Sequence, residues 1–361
     1  MKKDKTYIIV LNFNGFRDSI PCLESLLKLQ HTDFSVVLVD NQSTDGSVEI
    51  ICDYLEGSSP GPETEYPQLC HLTEPVAAKP LPYLLVDESS QYPIEIREQK
   101  LIILRAKENM GYGPGNNMGI RLALQDPDCR YIWILNNDTL SEPDCLSAMI
   151  RQFDSDRQAG IKTGGVGPKI CYMQQPGTIQ STGSIFKPWL CYSRLVDQNE
   201  DRNSAGLQSK NHIHHLVGAS VLFDRKIFEE TGLFCEDHFV YLEEIDFSIR
   251  ARRKGWTFSF QPEAVMYHKE NATISKADRH PVGNMTDFYW SRNKILVTLR
   301  YFPWFLPTVL LSSVLSALAK SIRNRSLCRF FFYLDAMASG FTFFFGRNSD
   351  IKIYHHKYLK K

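Results

Sequence analysis

The stretch Tyr131-Ile-Trp-Ile-Leu-Asn-Asn-Asp-Thr139 decides how the rest of the chain is read. Five apolar residues that stop abruptly at Asn136, Asn137 and Asp138 describe a buried strand with a polar cluster at its exit. In an α/β sheet that exit is where a ligand crevice opens. A carboxylate flanked by short amides suits a hard divalent cation, because Mg2+ and Mn2+ take oxygen ligands and keep positions open for phosphate. A strand followed by an Asn-Asp turn is also common plain structure, so the neighbouring segments have to decide.

Upstream, Tyr7–Leu11 and Ser35–Val39 are apolar runs of strand length, and Leu101–Leu104 is a third. Helical spacing separates them at Ile20, Cys22, Leu23, Leu26 and Leu27, at Val48–Leu55, and from about Asn116 to Leu124. Strands alternating with helices predict a mostly parallel sheet flanked by helices. The segment at about 57–98, rich in Pro, Gly, Ser and Glu, is too long for an ordinary connection. It is expected to be an insertion folded on the sheet's edge, with Tyr83–Val86 and Tyr92–Ile96 as a small hairpin; a floppy linker is the alternative.

The strand exits share a character. They carry Asn12-Phe-Asn14, then Asp40-Asn41 with Ser43 and Asp45, then Asn136-Asn-Asp138. After the remaining strand comes Asn109-Met-Gly-Tyr-Gly-Pro-Gly-Asn-Asn117. Its glycines let backbone approach a ligand, and its asparagines read base, ribose or sugar hydroxyls. The spacing is not that of a dinucleotide fingerprint, and no P-loop lysine follows. Four polar exits on one edge describe a nucleotide pocket.

Composition supports a globular chain: 361 residues, 43% hydrophobic and 23% charged. Formal charge is zero but uneven. Residues 292–361 carry 12 Lys+Arg against 2 Asp+Glu, which leaves 29 against 39 in residues 1–291. A basic tail on an acidic body implies an anionic partner. Within the tail, Phe302–Ala319 and Phe330–Phe345 are apolar, with Lys320, Arg323, Arg325, Arg329 and Arg347 around them. Basic residues interleaved with Phe, Trp and Leu predict helices lying in the headgroup layer. A spanning hairpin and a soluble helical cap are the competing readings, and the packing of aromatics into apolar runs speaks against nucleic acid. Nine cysteines, an odd number without a C-x-x-C pair, fit neither a disulfide framework nor a zinc site. With an N-terminal apolar run too short for a signal peptide, they predict a cytoplasmic chain. There the sequons at Asn271 and Asn284 carry no meaning, and His212, His214 and His215 read as a polar loop.

In order along roughly residues 5–300, Val10–Asn14, Val39–Ser47, Asn109–Asn117 and Leu135–Thr139 are followed by Val217-Gly-Ala-Ser220, Tyr241-Leu-Glu-Glu-Ile-Asp246, Arg250–Trp256 and His268. This series resembles the family-2 glycosyltransferases with the GT-A fold, in the rhamnosyltransferase-like branch of bacterial surface-polysaccharide enzymes. The resemblance implies a GT-A domain over 1–291, with a nucleotide-binding half (1–140) and an acceptor half (141–291), and a membrane-associating tail over 292–361. It implies inverting transfer from a UDP- or dTDP-sugar to a glycan or lipid-linked acceptor at the inner membrane surface. Leu11, Asn12, Asn14, Asp40, Asn41, Asn109, Gly115, Asn116 and Asn137 would hold the nucleotide sugar, with Asp40 on the base and Asn137 towards ribose. Asp138 would bind Mg2+ or Mn2+, assisted by His268.

Glu244 matches the expected catalytic base and Glu243 is the runner-up. The family pattern has Asp at 244, so this carboxylate reaches further by about one C–C bond. Capping of a helix N-terminus accounts for the same acids, as a solvated face does for Arg250, Arg252, Arg253 and Lys254. Two other functions compete. A sugar nucleotidyltransferase needs a basic Gly-rich loop after the first strand, which Asn12–Phe16 lacks. A non-catalytic nucleotide-sugar binder would keep the pocket and lose the base.

Overall fold

The computed structural model describes residues 4–62, 65–89, 91–92, 94–204, 207, 213–269, 279–280 and 283–359. His212 and the sequon at Asn271 lie outside them. The chain opens with β1 (Lys5–Asn12), α1 (Phe16–Leu27), β2 (Phe34–Asp40), α2 (Ser47–Glu56), α3 (Cys70–Thr73) and β3 (Leu84–Asp87). Next come β4 (Leu101–Arg105), α4 (Tyr112–Leu124), β5 (Cys129–Asn136), β6 (Thr139–Ser141), α5 (Cys145–Gln158), β7 (Thr163–Tyr172) and β8 (Ile179–Ser181). A hairpin of β9 (Ser184–Lys187) and β10 (Tyr192–Leu195) precedes β11 (Ser220–Asp224), α6 (Arg225–Thr231), α7 (Glu243–Arg253) and β12 (Thr257–His268). Three helices end the chain: α8 (Met285–Tyr301), α9 (Leu306–Arg323) and α10 (Leu327–Phe344).

The main sheet runs β3-β4-β2-β1-β5-β11-β7-β12-β6, with β8 on β7. Pairing is parallel from β3 to β5 and again between β7 and β12, and antiparallel where β11 and β6 enter. Period-2 alternation sends Ile8, Val10, Trp133 and Leu135 to the face covered by α1, α2 and α5. Tyr7, Ile9, Ile132 and Ile134 go to the face covered by α4, α6 and α7. Both faces are buried, which is why these strands read as unbroken apolar runs. Register then aligns the exits: Asn12 pairs with Asp40, and Leu11 with Asn136.

The segment at 57–98 is folded on the body, but not as the expected hairpin. Leu84–Asp87 joins the main sheet as a parallel edge strand on β4, and Ile94–Glu98 is a 3-10 turn. A parallel neighbour supplies the edge with hydrogen bonds that a detached hairpin would leave unmade. Glu24, buried on α1, ties the segment down: it accepts from Lys79 Nζ and Tyr54 Oη at 2.7 Å each and from the Val76 amide at 3.1 Å. The Gly-rich run also differs from the expected loop. Helix α4 starts at Tyr112, four residues earlier than the spacing predicted, with Pro114 in the first turn. His215 is buried, with Nε2 2.7 Å from Ser193 Oγ, and is no polar loop.

A boundary at 291/292 falls inside α8, so the helical tail begins at Met285. Asn284, read above as part of a sequon, caps this helix by accepting from the Asp287 amide at 2.8 Å. On α9 and its approach, Trp304, Leu311, Leu315, Leu318 and Ile322 are exposed at helical spacing. Pro303–Arg323 (21 residues, mean hydropathy 1.6) is long and apolar enough to cross a membrane by composition.

Candidate active site

A cavity of roughly 340 Å3 opens where β1, β5, α4 and α7 converge. It is lined by Asn136, Asn137 and Asp138 from the exit of β5, by His268 from the end of β12, and by Glu243 and Glu244 from the first turn of α7. Leu11, Phe13, Tyr112, Val217–Ala219, Tyr241 and Met285 complete its walls.

Strand pairing brings Asp138 and His268 together. In the antiparallel β6–β12 register His268 faces Thr139, and the Lys269 amide donates to the Asp138 carbonyl at 3.0 Å. His268 Nε2 lies 3.3 Å from Asp138 Oδ1. The other ring nitrogen, Nδ1, is 2.9 Å from Gln180 Oε1. An amide oxygen only accepts, so Nδ1 carries a proton, and in the neutral ring Nε2 then turns its lone pair to Asp138. Asp138 Oδ1 is buried and has no hydrogen-bond partner. In that form two acceptors face each other, and either a proton on Nε2 or a metal cation between them relieves the repulsion. The oxygen, the imidazole nitrogen and the partner that orients the ring form a donor set that fits a divalent metal.

A second group of potential ligands, Cys235, His238 and Asp246, lies close together. Its positions are taken by cations of the chain. Asp246 accepts from Arg250 Nε and Tyr301 Oη at 2.8 Å each, with His238 Nε2 at 3.4 Å. Arg300 reaches both Cys235 Sγ, at 3.1 Å, and Asp237. Burial opposes charge on His238, but its bonds to Asp246 and Cys235 outweigh it and raise its pKa to about 9. Asp246 is pushed up by burial, yet His238 and Arg250 hold it well below the carboxylate range. The group is an ion-pair network that fixes α7. Arg250 belongs to it, donating also to the Thr231 and Leu233 carbonyls, and is no solvated residue.

The loop before α7 is held in an unusual conformation. Phe239, Tyr241 and Leu242 all have positive φ (62°, 70° and 71°), which non-glycine residues rarely adopt. It persists because its carbonyls are gripped: Asn293 Nδ2 of α8 lies 2.9–3.0 Å from the oxygens of His238, Val240 and Tyr241, and the Tyr112 amide takes that of Phe239 at 2.6 Å. The result aims two adjacent carboxylates into the cavity. Glu243 Oε2 is buried without a partner. Burial, then the charge of Glu244, raises the Glu243 pKa to about 8; burial raises Glu244 as well.

Of the residues singled out from sequence, Leu11, Asn137, Asp138, Glu243, Glu244 and His268 line this cavity. The others stand behind it as a polar frame. Asn12 Nδ2 donates to Asp40 Oδ1 at 2.8 Å, and Asp40 also takes the Ser43 amide and hydroxyl. Asn14 accepts from the Thr44 amide at 2.7 Å. Asn41 bonds Asn109 and the Gly111 carbonyl, both at 3.0 Å, and Asn116 bonds the Tyr112 carbonyl. The Asn137 amide turns inward to Ser19 Oγ and the Gly15 carbonyl. Gly115 lets α4 approach β1, since a Cβ there would meet Leu11 Cδ1 at 2.6 Å. Gln180 and Asn293 were not anticipated, because nothing local marks a Gln or Asn that works across a long sequence distance. Tyr112, inside a motif already noted, is a wall residue whose hydroxyl donates to the Gly218 carbonyl at 2.7 Å.

Comparison with known proteins gives the family and the fold. Residues 7–74 match the model of glycosyl transferase family 2, and residues 131–346, more than half of the chain, match that of glycosyl transferase family group 2. The chain is 27% identical over 177 residues to the low-salt glycan biosynthesis hexosyltransferase Agl10 of Haloferax volcanii, covering 48% of this chain and 54% of the relative. It therefore spans about half the length of that relative. It is 26% identical over 238 residues to the N-acetylglucosaminyl-diphospho-decaprenol L-rhamnosyltransferase of Mycobacterium tuberculosis, covering 60% of this chain and 75% of the relative. In fold it is similar to GalNAc-T7, solved with UDP, GalNAc and Mn2+, at a TM-score of 0.55 and 12% identity over 98% of this chain and 58% of that one. The mostly parallel sheet with flanking helices is the GT-A architecture, and the chain belongs to glycosyl transferase family group 2.

Proposed function

We propose that the protein is an inverting, metal-dependent glycosyltransferase that moves a hexosyl or deoxyhexosyl group from a UDP- or dTDP-sugar to a hydroxyl of a lipid-linked glycan, in bacterial surface-polysaccharide synthesis. One observation carries the reading: a single cavity gathers the Asp138–His268 pair and the Glu243–Glu244 pair. The donor lies along the exits of β1 and β2 and the start of α4. Leu11 walls it. Asn12, Asn14, Asp40, Asn41, Asn109, Gly115 and Asn116 shape its seat, and Asn137 lies towards the ribose. Asp138 and His268 Nε2 would hold Mg2+ or Mn2+, which would offset the charge gathered by the diphosphate leaving group.

Glu244 takes the proton of the acceptor hydroxyl as its oxygen bonds to the anomeric carbon and the bond from that carbon to the diphosphate oxygen breaks. Attack from the face opposite the leaving group inverts the centre. A carboxylate with a raised pKa suits this work near neutral pH, since it is a stronger base than an exposed one. Glu243, with its unpartnered Oε2, is the second candidate for that role.

The exposed stripe of α9 and the neighbouring Arg323 and Arg325 support attachment in the plane of the cytoplasmic leaflet. The relative from Mycobacterium tuberculosis is named for a diphospho-decaprenol acceptor, which suits that placement. Release of nucleoside diphosphate from a panel of nucleotide sugars, with Mn2+ or EDTA, tests the proposal. Metal-dependent turnover of one donor that is lost in Glu244→Gln is expected; failure of the protein to bind either UDP or dTDP overturns it.

A further inference from the structure

A second hollow, of about 500 Å3, lies on the other side of α7 from the core, against the β9–β10 hairpin. Its walls are apolar: Phe186, Trp189, Ile245, Ile249 and Phe302. Its rim is cationic, with Arg252, Arg253 and Lys187. The two arginines make their hydrogen bonds to the backbone carbonyls of Ile213 and Tyr301, so their charges are not taken up by these partners.

The groove and the cavity lie on neighbouring stretches of α7 and are separated by a closed cleft of only about 10 Å3. Ser248 borders both the groove and this cleft, which is lined by Glu244, Tyr112 and Gly218, all of which line the cavity. Glu244, Ser248 and Arg252 follow one another at four-residue intervals, so they run along one side of α7. At 1.5 Å per residue, Glu244 and Arg252 are about 12 Å apart along the axis. That is about the reach of one sugar ring with a diphosphate attached. At its far end the groove meets the tail: Thr308 Oγ1 of α9 donates to the Trp189 carbonyl at 2.7 Å, and the exposed stripe of α9 starts at Leu311.

We propose that this groove binds the diphosphate and the first apolar units of a lipid-linked acceptor, with Arg252, Arg253 and Lys187 on the diphosphate and Trp189, Ile249 and Phe302 along the chain. The assignment rests on the transferase reading above and deepens it by naming the acceptor's linkage chemistry. An acceptor sugar beside Glu244 places its diphosphate at Arg252, and the chain leaves towards the membrane face of α9.

The test is calorimetric titration of the full chain with farnesyl diphosphate, in EDTA so that a metal-bound diphosphate does not contribute. Inorganic diphosphate and farnesol are run alongside. Farnesyl diphosphate is expected to bind at least tenfold more tightly than either. Arg252→Gln with Arg253→Gln is expected to weaken it tenfold or more, and Ile249→Glu to do the same by blocking the apolar wall. Circular dichroism and UDP binding with Mn2+ verify that each variant is folded. The proposal is overturned if both folded variants bind farnesyl diphosphate within twofold of wild type, or if inorganic diphosphate binds equally well. It is also overturned if the arginine pair is needed for phosphatidylglycerol vesicles but not for farnesyl diphosphate, which would make the groove a plain membrane contact. Failure of wild type to bind UDP strikes the transferase reading instead, and is read in a separate titration.

Discussion

His268 Nε2 and Asp138 Oδ1 face each other at 3.3 Å, and Gln180 sets which ring nitrogen does the facing. Partners that orient a ligating imidazole are commonly worth about 10–100-fold in metal affinity. Gln180→Leu is therefore expected to weaken Mn2+ binding within that range, although Gln180 does not itself line the catalytic cavity. Asp138→Ala is expected to abolish binding. Titration of Mn2+ followed by electron paramagnetic resonance, with UDP present, measures both.

The carboxylates on α7 predict a pH dependence. Because burial raises the pKa of Glu244, the rising limb of kcat/KM is expected on the alkaline side of the ordinary glutamate range; with Glu243 as base, raised by burial and then by the charge of Glu244, it would lie near 8. With Glu244 as base, Glu243→Gln keeps turnover, while Glu244→Gln loses about 10²–10⁴-fold. The opposite pattern would transfer the role to Glu243.

The same pair affects stability. A carboxyl whose pKa is raised on folding contributes stability that is complete below its unfolded value of 4.5 and lost as pH rises through about 8. Glu243→Gln should thus raise the melting temperature by a few degrees at pH 9 and leave it unchanged near pH 4. A melting series across that window decides the matter.

Gly111 and Gly115 are expected to respond differently to alanine. At Gly111, φ is +100° and a Cβ would stand 1.9 Å from the Phe239 carbonyl oxygen, in the loop that aims the two glutamates. Gly111→Ala should destabilise the fold by about 1–3 kcal/mol or more and cost activity. At Gly115 the added methyl meets side-chain ends, those of Leu11 at 2.6 Å and Asn41 at 3.3 Å, so Gly115→Ala should be milder in stability and should disturb the proposed donor wall. Denaturant melts paired with UDP titrations separate the two effects.

Attachment through the α9 stripe predicts that Leu315→Glu with Ile322→Glu abolishes co-sedimentation with anionic vesicles while melting stays near wild type. Both residues are more than half exposed, so little packing is lost. Raising the salt should weaken the wild type only partly, since screening acts on the basic residues and not on the buried apolar area.

Much of the catalytic half was legible because its signals are local. Strands β1, β2, β4 and β5 are apolar runs ended by polar residues, and the observed limits extend the predicted ones by at most two residues. Asp138 and Glu244 stood out because short polar motifs at strand and helix termini carry chemistry. What escaped depends on contacts distant in sequence. The Tyr83–Val86 run has strand composition, but only the free edge of β4 decides that it pairs in parallel and not with Tyr92–Ile96. Arg252 and Arg253 are exposed, as a solvated face predicts, and only the β9–β10 hairpin beside them makes them the edge of a groove. The ends of α4 and the tail were misjudged for a related reason. Glycines that read as a loop are helical where they must pack on Leu11, and α8 has no breaker at residue 291.

The grip of Asn293 on the glutamate loop means that the helical tail is not a removable handle. Cutting at residue 291 would take away Asn293, Arg300 and Tyr301, and with them the clamps on the Phe239–Leu242 backbone and on Asp246. A soluble form is better sought by recolouring the outer surface of α9 than by shortening the chain. Conversely, any contact that shifts α8 by even a fraction of a helical turn is expected to move the acid pair, because Asn293, Arg300 and Tyr301 join this helix to the segment that aims it.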